Sequence, residues 1–210
     1  MPFDLWLPFV VASTALLVIP GPTLMMVLSY AMTQGRRVAI ASALGVATGD
    51  LIAMTLSVIG LGALFLTSAL AFTVLKWVGA VYLVYLGLRM LWSARTPAET
   101  TLVNKPDGQR AGKVFRDLTT VTALNPKSNT FFVAFVPQFI DPAAAFAPQA
   151  AILIATFVII AGINALFFAL AANAMRSRIT RPRVQMWMTR AGGATLVGMG
   201  LLTATLRRAT

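Results

Sequence analysis

Apolar residues occur along the chain in six long runs, which short polar or charged stretches separate. Each run is long enough to cross a hydrocarbon core about 30 Å thick, for which a helix needs roughly 20 apolar residues. The pattern therefore predicts an all-α integral membrane protein with six transmembrane helices. The predicted spans are Trp6–Met32, Val38–Leu66, Leu70–Trp92, Phe115–Phe139, Gln149–Met175 and Thr189–Leu206.

The composition supports a chain that is solvated largely by lipid. Of the 210 residues, 58% are hydrophobic and 11% are charged, whereas ordinary globular domains carry about 25% charged residues. With a mean hydropathy of +0.81, the chain cannot cover a water-facing surface. Asp4, rather than a cation, precedes the first apolar run, so we expect a retained span and not a cleaved signal peptide.

Lysine and arginine residues are concentrated in alternate connections between the predicted spans. The first, third and fifth connections are cationic, while the second and fourth carry no cation. The positive-inside rule then predicts that these three connections are cytoplasmic and that both termini are outside, with Arg207 and Arg208 as exceptions. This distribution accounts for the net charge of +11 without a nucleic-acid partner. The cations concerned are Arg36, Arg37, Arg89, Arg95, Lys105, Arg110, Lys113, Arg116, Arg176, Arg178, Arg181, Arg183 and Arg190.

The chain contains neither cysteine nor histidine. Disulfides, thiolate metal sites and thiol redox chemistry are therefore excluded. The absence of histidine also removes the commonest transition-metal ligand and the usual general base at neutral pH. Since only one carboxylate lies deep in a predicted span, the chain offers no set of nucleophile, base and orienting group. We expect no enzyme activity, no metal site and no cofactor.

Two of the predicted spans contain a proline break near their middle. The first span is broken at Pro20-Gly21-Pro22 and the fourth at Asn125-Pro126-Lys127, 106 positions further along. Proline removes a backbone donor, and the freed carbonyls must be satisfied by protein or by water in a cavity. The prolines could simply kink two helices. Matched breaks in two halves are also the pattern of a transporter with a solute site between the broken helices.

The matched breaks predict one transmembrane domain, residues 1–210, built from two three-helix repeats. Residues 1–92 form the first repeat, residues 93–113 a cytoplasmic linker rich in proline and charge, and residues 114–210 the second repeat. Because three spans is an odd number, the second repeat is inserted upside down relative to the first.

Three ionisable residues lie inside the predicted spans and more than three residues from either end. Asp50 and Lys127 are near the centres of the second and fourth spans, and charges at this depth are functional candidates by default. They could form a structural ion pair, or Asp50 could take up and release a proton during transport. Lys76 is nearer to the end of the third span, where its side chain could extend to the interface.

Gly45 and Gly49 form a step of small residues four positions apart in the second span. Such steps let another helix approach closely, so we expect both glycines to serve helix packing. Faces of small residues of this kind also permit a homodimer.

Taken in order, the motifs of the chain resemble those of the LysE/RhtB family of amino-acid exporters. The resemblance covers nearly the whole chain, with one departure in the segment Phe115–Leu118, where a glycine near Asp117 is expected. The motifs are Pro20-Gly21-Pro22, Gly45-xxx-Gly49-Asp50, Lys76-xx-Gly79-xx-Tyr82-Leu83, Asn125-Pro126-Lys127 with Phe131-Phe132, and Pro137-Gln138-Phe139.

The resemblance implies a multi-pass exporter in the inner membrane that expels amino acids or close derivatives, driven by the proton gradient. Its partners would be the amino acid, protons and the lipid bilayer. Half-helix N-termini suit the substrate carboxylate, and Asp50 suits either its ammonium group or the coupling proton. A channel, or an exporter of another small solute, that uses Asp50 as a selectivity charge is the alternative. The residues assigned to substrate binding or coupling are Pro20, Gly21, Pro22, Asp50, Lys76, Asn125, Pro126 and Lys127.

Overall fold

A computed structural model describes residues 1–19, 21–93, 110–179 and 181–206, and within its helices some side chains, including those of Pro22, Lys76 and Pro126, lie outside the described part. The linker at 94–109 is also outside it. In the described ranges the chain is helical and contains no strand. Its helices are α1 (Phe3–Val18), α2 (Pro22–Thr67), α3 (Ala69–Ser93), α4 (Ala111–Ala123), α5 (Pro126–Phe135), a 3-10 helix (Val136–Phe139), α6 (Phe146–Ile179) and α7 (Pro182–Leu206).

Within the described residues, two helical segments are long and apolar enough to cross a membrane by themselves. These are Arg36–Ala63 in α2 and Phe146–Ala172 in α6. A third span arises if Phe3–Val18 and Thr23–Ala31, which meet at an angle of 59°, count together as one broken helix. The predicted break in the first span is therefore present as a bend between α1 and α2, whereas the count of six spans stays a prediction.

Helix α2 continues through the predicted first connection. The Tyr30 hydroxyl donates a 2.6 Å hydrogen bond to Oδ2 of Asp117 on α4. Gly45 lies against the main chain of Phe115, two residues before Asp117 on α4. Residues on both sides of the predicted connection therefore contact α4, and the connection lies inside a helix of 46 residues rather than in a loop.

Helices α2 and α4 approach each other closely along Gly45 and Gly49. A Cβ atom built on Gly45 would lie 2.7 Å from the main-chain oxygen of Phe115, and one on Gly49 would lie 2.6 Å from Cβ of Thr122. The Thr119 hydroxyl donates a 3.2 Å hydrogen bond to the Gly45 carbonyl across this contact. Any side chain at either glycine would therefore push α4 away from α2.

The remaining packing pairs α2 with α6 and α3 with α7. At the α3–α7 contact a Cβ on Gly87 would lie 2.6 Å from the Gly193 oxygen, and a Cβ on Gly193 would lie 2.8 Å from the Gly87 oxygen. The two glycines are 106 positions apart, the same offset that separates Pro20 from Pro126. A reciprocal contact of this kind is what a two-fold relationship between the two halves would produce.

Buried aromatic rings hold the second broken segment in place. The Phe131 ring lies 4.3 Å from that of Phe135, and the Phe132 ring meets Phe157 of α6 edge-on at 4.8 Å. Phe9 of α1 packs against Phe135 from the other side. These ring contacts tie α5 to α1 and α6, while the main packing of α5 is against α2 and α3.

Candidate functional site

A cavity lined by apolar and polar residues lies where the two proline breaks meet. Residues of α1, α2, α4, α5 and α6 line it, and its empty volume is about 520 Å³ including the space at its open side. Four residues that the sequence pattern singled out line this cavity together. They are Gly21, Asp50, Asn125 and Lys127.

The other residues assigned to the site are placed less completely. Pro20 lies outside the described residues, as do the side chains of Pro22, Lys76 and Pro126. Pro22 is nevertheless the first residue of α2 and Pro126 the first residue of α5. Proline suits this position because the first N–H of a helix has no acceptor inside the helix. Both helices that follow the breaks therefore begin with a proline.

The break after α1 leaves main-chain carbonyls that the residues directly after the helix cannot satisfy. The last turn of a helix has unpaired carbonyls, and the prolines at 20 and 22 have no N–H to offer them. The ammonium group of Lys127 donates hydrogen bonds to the carbonyls of Leu16, at 3.1 Å, and Ile19, at 3.3 Å. The Asn164 amide of α6 donates to the Leu17 carbonyl at 3.2 Å. Donors from the second half of the chain thus complete the end of α1.

The second break is organised by the side chain of Asn125. Its Oδ1 accepts a 3.0 Å hydrogen bond from the main-chain N–H of Lys127, which makes Asn125 the N-cap of α5. Its Nδ2 donates a 3.1 Å hydrogen bond to the hydroxyl of Thr23, in the first turn of α2. A second amide, that of Asn129, donates to the Ala123 carbonyl at 3.1 Å and so caps the end of α4. One side chain therefore joins the starts of the two helices that follow the breaks.

Asp50 and Thr122 bring unpaired polar atoms to the same cavity. Asp50 is 2% exposed and Thr122 is 1% exposed. Asp50 Oδ1 and Thr122 Oγ1 are buried and have no hydrogen-bond partner among the described residues. In the described part of the chain no ion pair joins Asp50 to Lys127, whose ammonium binds carbonyls instead. Since buried polar groups in native proteins are nearly always paired, these two atoms are available to a ligand or a proton.

The charges around the cavity are of both signs. Helices α2 and α5 begin at the cavity, and a helix N-terminus carries a partial positive charge. The Lys127 ammonium adds a full positive charge, whereas Asp50 provides a carboxylate. The rest of the lining is mostly apolar, so the arrangement suits a small solute that carries an anionic and a cationic group. The apolar lining includes Leu16, Leu24, Val27, Val46, Ala161 and Ala165.

Four polar residues of the cavity were not predicted from the sequence. Thr23 and Ser128 line it directly after the two breaks, and their neighbourhood to Pro22 and Lys127 could have indicated them. Asn164 is an amide inside the apolar run of α6, and a polar residue in such a run is a signal in its own right. Thr122 carries no such signal, because threonine is common in helices of every kind. The four are Thr23, Thr122, Ser128 and Asn164.

An apolar helical bundle with broken helices around a cavity of mixed charge is typical of membrane transport proteins. The sequence comparison agrees with this class. The chain belongs to the family of LysE type translocators, whose family model matches residues 14–207.

Several curated relatives match the chain over most of its length. A homoserine/homoserine lactone efflux protein of Salmonella typhimurium is 33% identical over 209 residues, which is 100% of both chains. A membrane protein of Vibrio cholerae is 33% identical over 207 residues, 99% of this chain and 100% of the relative. A leucine efflux protein of Klebsiella pneumoniae is 30% identical over 136 residues, 65% of this chain and 63% of the relative. No solved structure matches the chain.

Proposed function

We propose that this protein is a multi-pass exporter in the inner membrane that expels amino acids or close derivatives through the cavity between the two breaks. One observation carries the proposal. The buried Asp50 carboxylate, whose Oδ1 has no hydrogen-bond partner among the described residues, lines the same cavity as the Lys127 ammonium and the N-termini of α2 and α5. A free amino acid carries the two complementary charges. The names of two relatives, a homoserine/homoserine lactone efflux protein and a leucine efflux protein, agree with this substrate class.

The charges suggest how an amino acid is oriented. Its ammonium group is placed at Asp50 and Thr122, whose unpaired oxygens accept hydrogen bonds. Its carboxylate is placed at the N-termini of α2 and α5, where N–H groups of the first turn have no helical acceptor. Lys127 can contribute there too, because an ammonium has three N–H donors and two of them bind carbonyls. The apolar lining is left for the side chain.

The proposed architecture consists of two inverted repeats, residues 1–92 and 114–210, with the cavity near the bilayer midplane. The constant offset of 106 positions supports it, since this offset relates both the proline breaks and the contacting pair Gly87 and Gly193. The pairing of α3 with α7, the last helices of the two halves, agrees with the same relationship. Rocking of one repeat against the other would open the cavity to each side in turn.

Proton coupling is assigned to Asp50. A carboxylate that binds either the substrate ammonium or a proton, but not both, exchanges one for the other. Substrate enters from the cytoplasm, displaces the proton from Asp50 and leaves outside, where a proton takes its place and returns inwards. The inward proton gradient thus drives export. Asp50 suits this role because it is buried and its Oδ1 has no hydrogen-bond partner among the described residues.

The test is transport into inverted membrane vesicles, in which export becomes uptake. Vesicles with an acidic interior are supplied with labelled homoserine, leucine, lysine or glutamate. We expect at least one amino acid to accumulate above its external concentration and a protonophore to abolish the accumulation. Equilibration without accumulation would indicate a channel instead. Failure of every amino acid to move, with the protein folded in the vesicles, would contradict the proposal.

A further inference from the structure

The position of the Lys127 ammonium is unusual for a lysine that lies beside a buried carboxylate in one cavity. It binds two main-chain carbonyls, those of Leu16 and Ile19, which lie 111 and 108 positions before it in the chain. Both acceptor residues are themselves buried. A set of carbonyls at the end of a broken helix is an environment that coordinates a monovalent cation in transport proteins.

We propose that the Lys127 ammonium is a built-in cation that occupies a main-chain carbonyl site, so that transport needs no bound sodium ion. The carbonyl site consists of the Leu16 and Ile19 oxygens at the negative end of the α1 dipole. The part of the proposal that concerns transport rests on the proposed export function. The part that concerns the cation site does not.

Three features describe the surroundings of the ammonium at this site. The break removes main-chain donors, since residues 20 and 22 are both proline. The neighbouring Leu17 carbonyl already has a neutral donor, the Asn164 amide. Gly21 and Lys127 both line the cavity, and a Cβ atom on Gly21 would be in van der Waals contact with Lys127 Nζ at 3.7 Å. A positive charge therefore sits on two oxygens at the end of a helix, next to an open volume.

The first experiment compares the purified wild-type protein with Lys127→Ala in vesicles. Wild-type efflux is expected to be the same in sodium and in choline buffers. The alanine variant leaves the carbonyl site empty, and we expect its efflux to fall about tenfold or more in choline, since a buried charged donor is lost. Methylammonium, and to a smaller extent sodium, is expected to restore much of it. Lys127→Met is the matched control, because its stem fills the site without a charge and should not be rescued.

The second experiment uses the absence of native cysteine. Lys127→Cys is alkylated with 2-bromoethylamine, which restores an ammonium at nearly the position of the lysine nitrogen. Parallel samples are alkylated with iodoacetamide, which adds a neutral amide of similar size. Efflux is expected to recover with the first reagent and not with the second. Equal recovery with both reagents would show that a neutral hydrogen-bond donor suffices at this position. It would overturn the proposal of a built-in cation.

A thermal measurement separates this proposal from the export function. The unfolding temperature of the alanine variant in detergent is expected to rise with added methylammonium, while those of the wild type and Lys127→Met stay constant. This result is decisive even if no amino acid is transported. Sodium dependence of the wild type, cation-independent behaviour of the alanine variant, or its failure to fold even with methylammonium present would each refute the proposal.

Discussion

Asn125 donates a hydrogen bond of 3.1 Å to the hydroxyl of Thr23, across 102 positions of the chain. Each residue lies at the start of a helix that follows a proline break, Thr23 in α2 and Asn125 at the cap of α5. The two helix N-termini are therefore joined by a direct hydrogen bond between neutral side chains. Any ligand that uses both N-termini finds them at a fixed separation.

This bond can be measured by a double-mutant cycle with Asn125→Ala and Thr23→Val. Asn125→Ala should lower the free energy of unfolding by about 1 kcal/mol through loss of the cap alone. The coupling between the two substitutions should amount to about 0.5–1.5 kcal/mol, the usual value of one hydrogen bond. The measurement is denaturant unfolding in detergent. Thr195→Val, whose hydroxyl bonds within α7, serves as the distant partner and should be additive with Asn125→Ala. Additivity of both pairs would exclude the Asn125–Thr23 bond.

The close approach of α2 and α4 predicts a large difference between two glycines of the same helix. In Gly49→Ala the new Cβ would lie 2.6 Å from Thr122 Cβ and 2.7 Å from the Thr119 oxygen, so stability should fall by about 1–3 kcal/mol. Gly60 has nothing within 4 Å of a built Cβ. Gly60→Ala should therefore be neutral or stabilise the helix by about 0.5–1 kcal/mol. The measurement is thermal unfolding, which compares the stabilities of the two variants. Equal stabilities would show that α4 does not pack on Gly49.

Asp50→Asn tests the coupling role. The amide keeps the size and most of the hydrogen bonding of the carboxyl group but cannot bind and release a proton. We expect the variant to insert and fold, to lose accumulation against a gradient, and to retain exchange of substrate across the membrane. The measurement is amino-acid uptake into inverted vesicles with and without a proton gradient.

The control for Asp50→Asn is Asp4→Asn, which neutralises an exposed carboxylate in the first turn of α1 and should transport normally. Normal pumping by Asp50→Asn would assign the coupling proton to another group. Loss of the folded protein in Asp50→Asn alone would make Asp50 a structural residue.

The positive-inside argument predicts the side of the membrane on which two connections lie. Lys105 belongs to the cationic linker, outside the described residues, and Ala144 is exposed in the cation-free connection before α6. An impermeant thiol reagent should label Ala144→Cys in spheroplasts and Lys105→Cys in inverted vesicles. Each variant controls for the other, because the native chain has no cysteine. The opposite pattern would invert the whole topology.

The sequence by itself determined the class of the protein and the location of its unusual features. Low charge and long apolar runs require lipid as solvent, because such a chain has too few polar groups to face water. The two breaks were equally predictable, since proline lacks an N–H whatever surrounds it. Asp50 and Lys127 stood out because a charge inside an apolar run costs free energy in any fold. Each of these inferences depends only on local chemistry.

Only the tertiary structure decided which partners these groups have. A lysine ammonium can bind a carboxylate or carbonyls equally well in principle, and the packing of α5 against α1 places Lys127 on the carbonyls of Leu16 and Ile19. The same packing leaves Oδ1 of Asp50 unpaired and brings Asn164 to Leu17. The continuity of α2 through the predicted first connection was also hidden, because the polar segment after Tyr30 reads as a connection between two spans. Contacts between residues more than 100 positions apart follow from how whole helices pack, and no local pattern in the sequence records them.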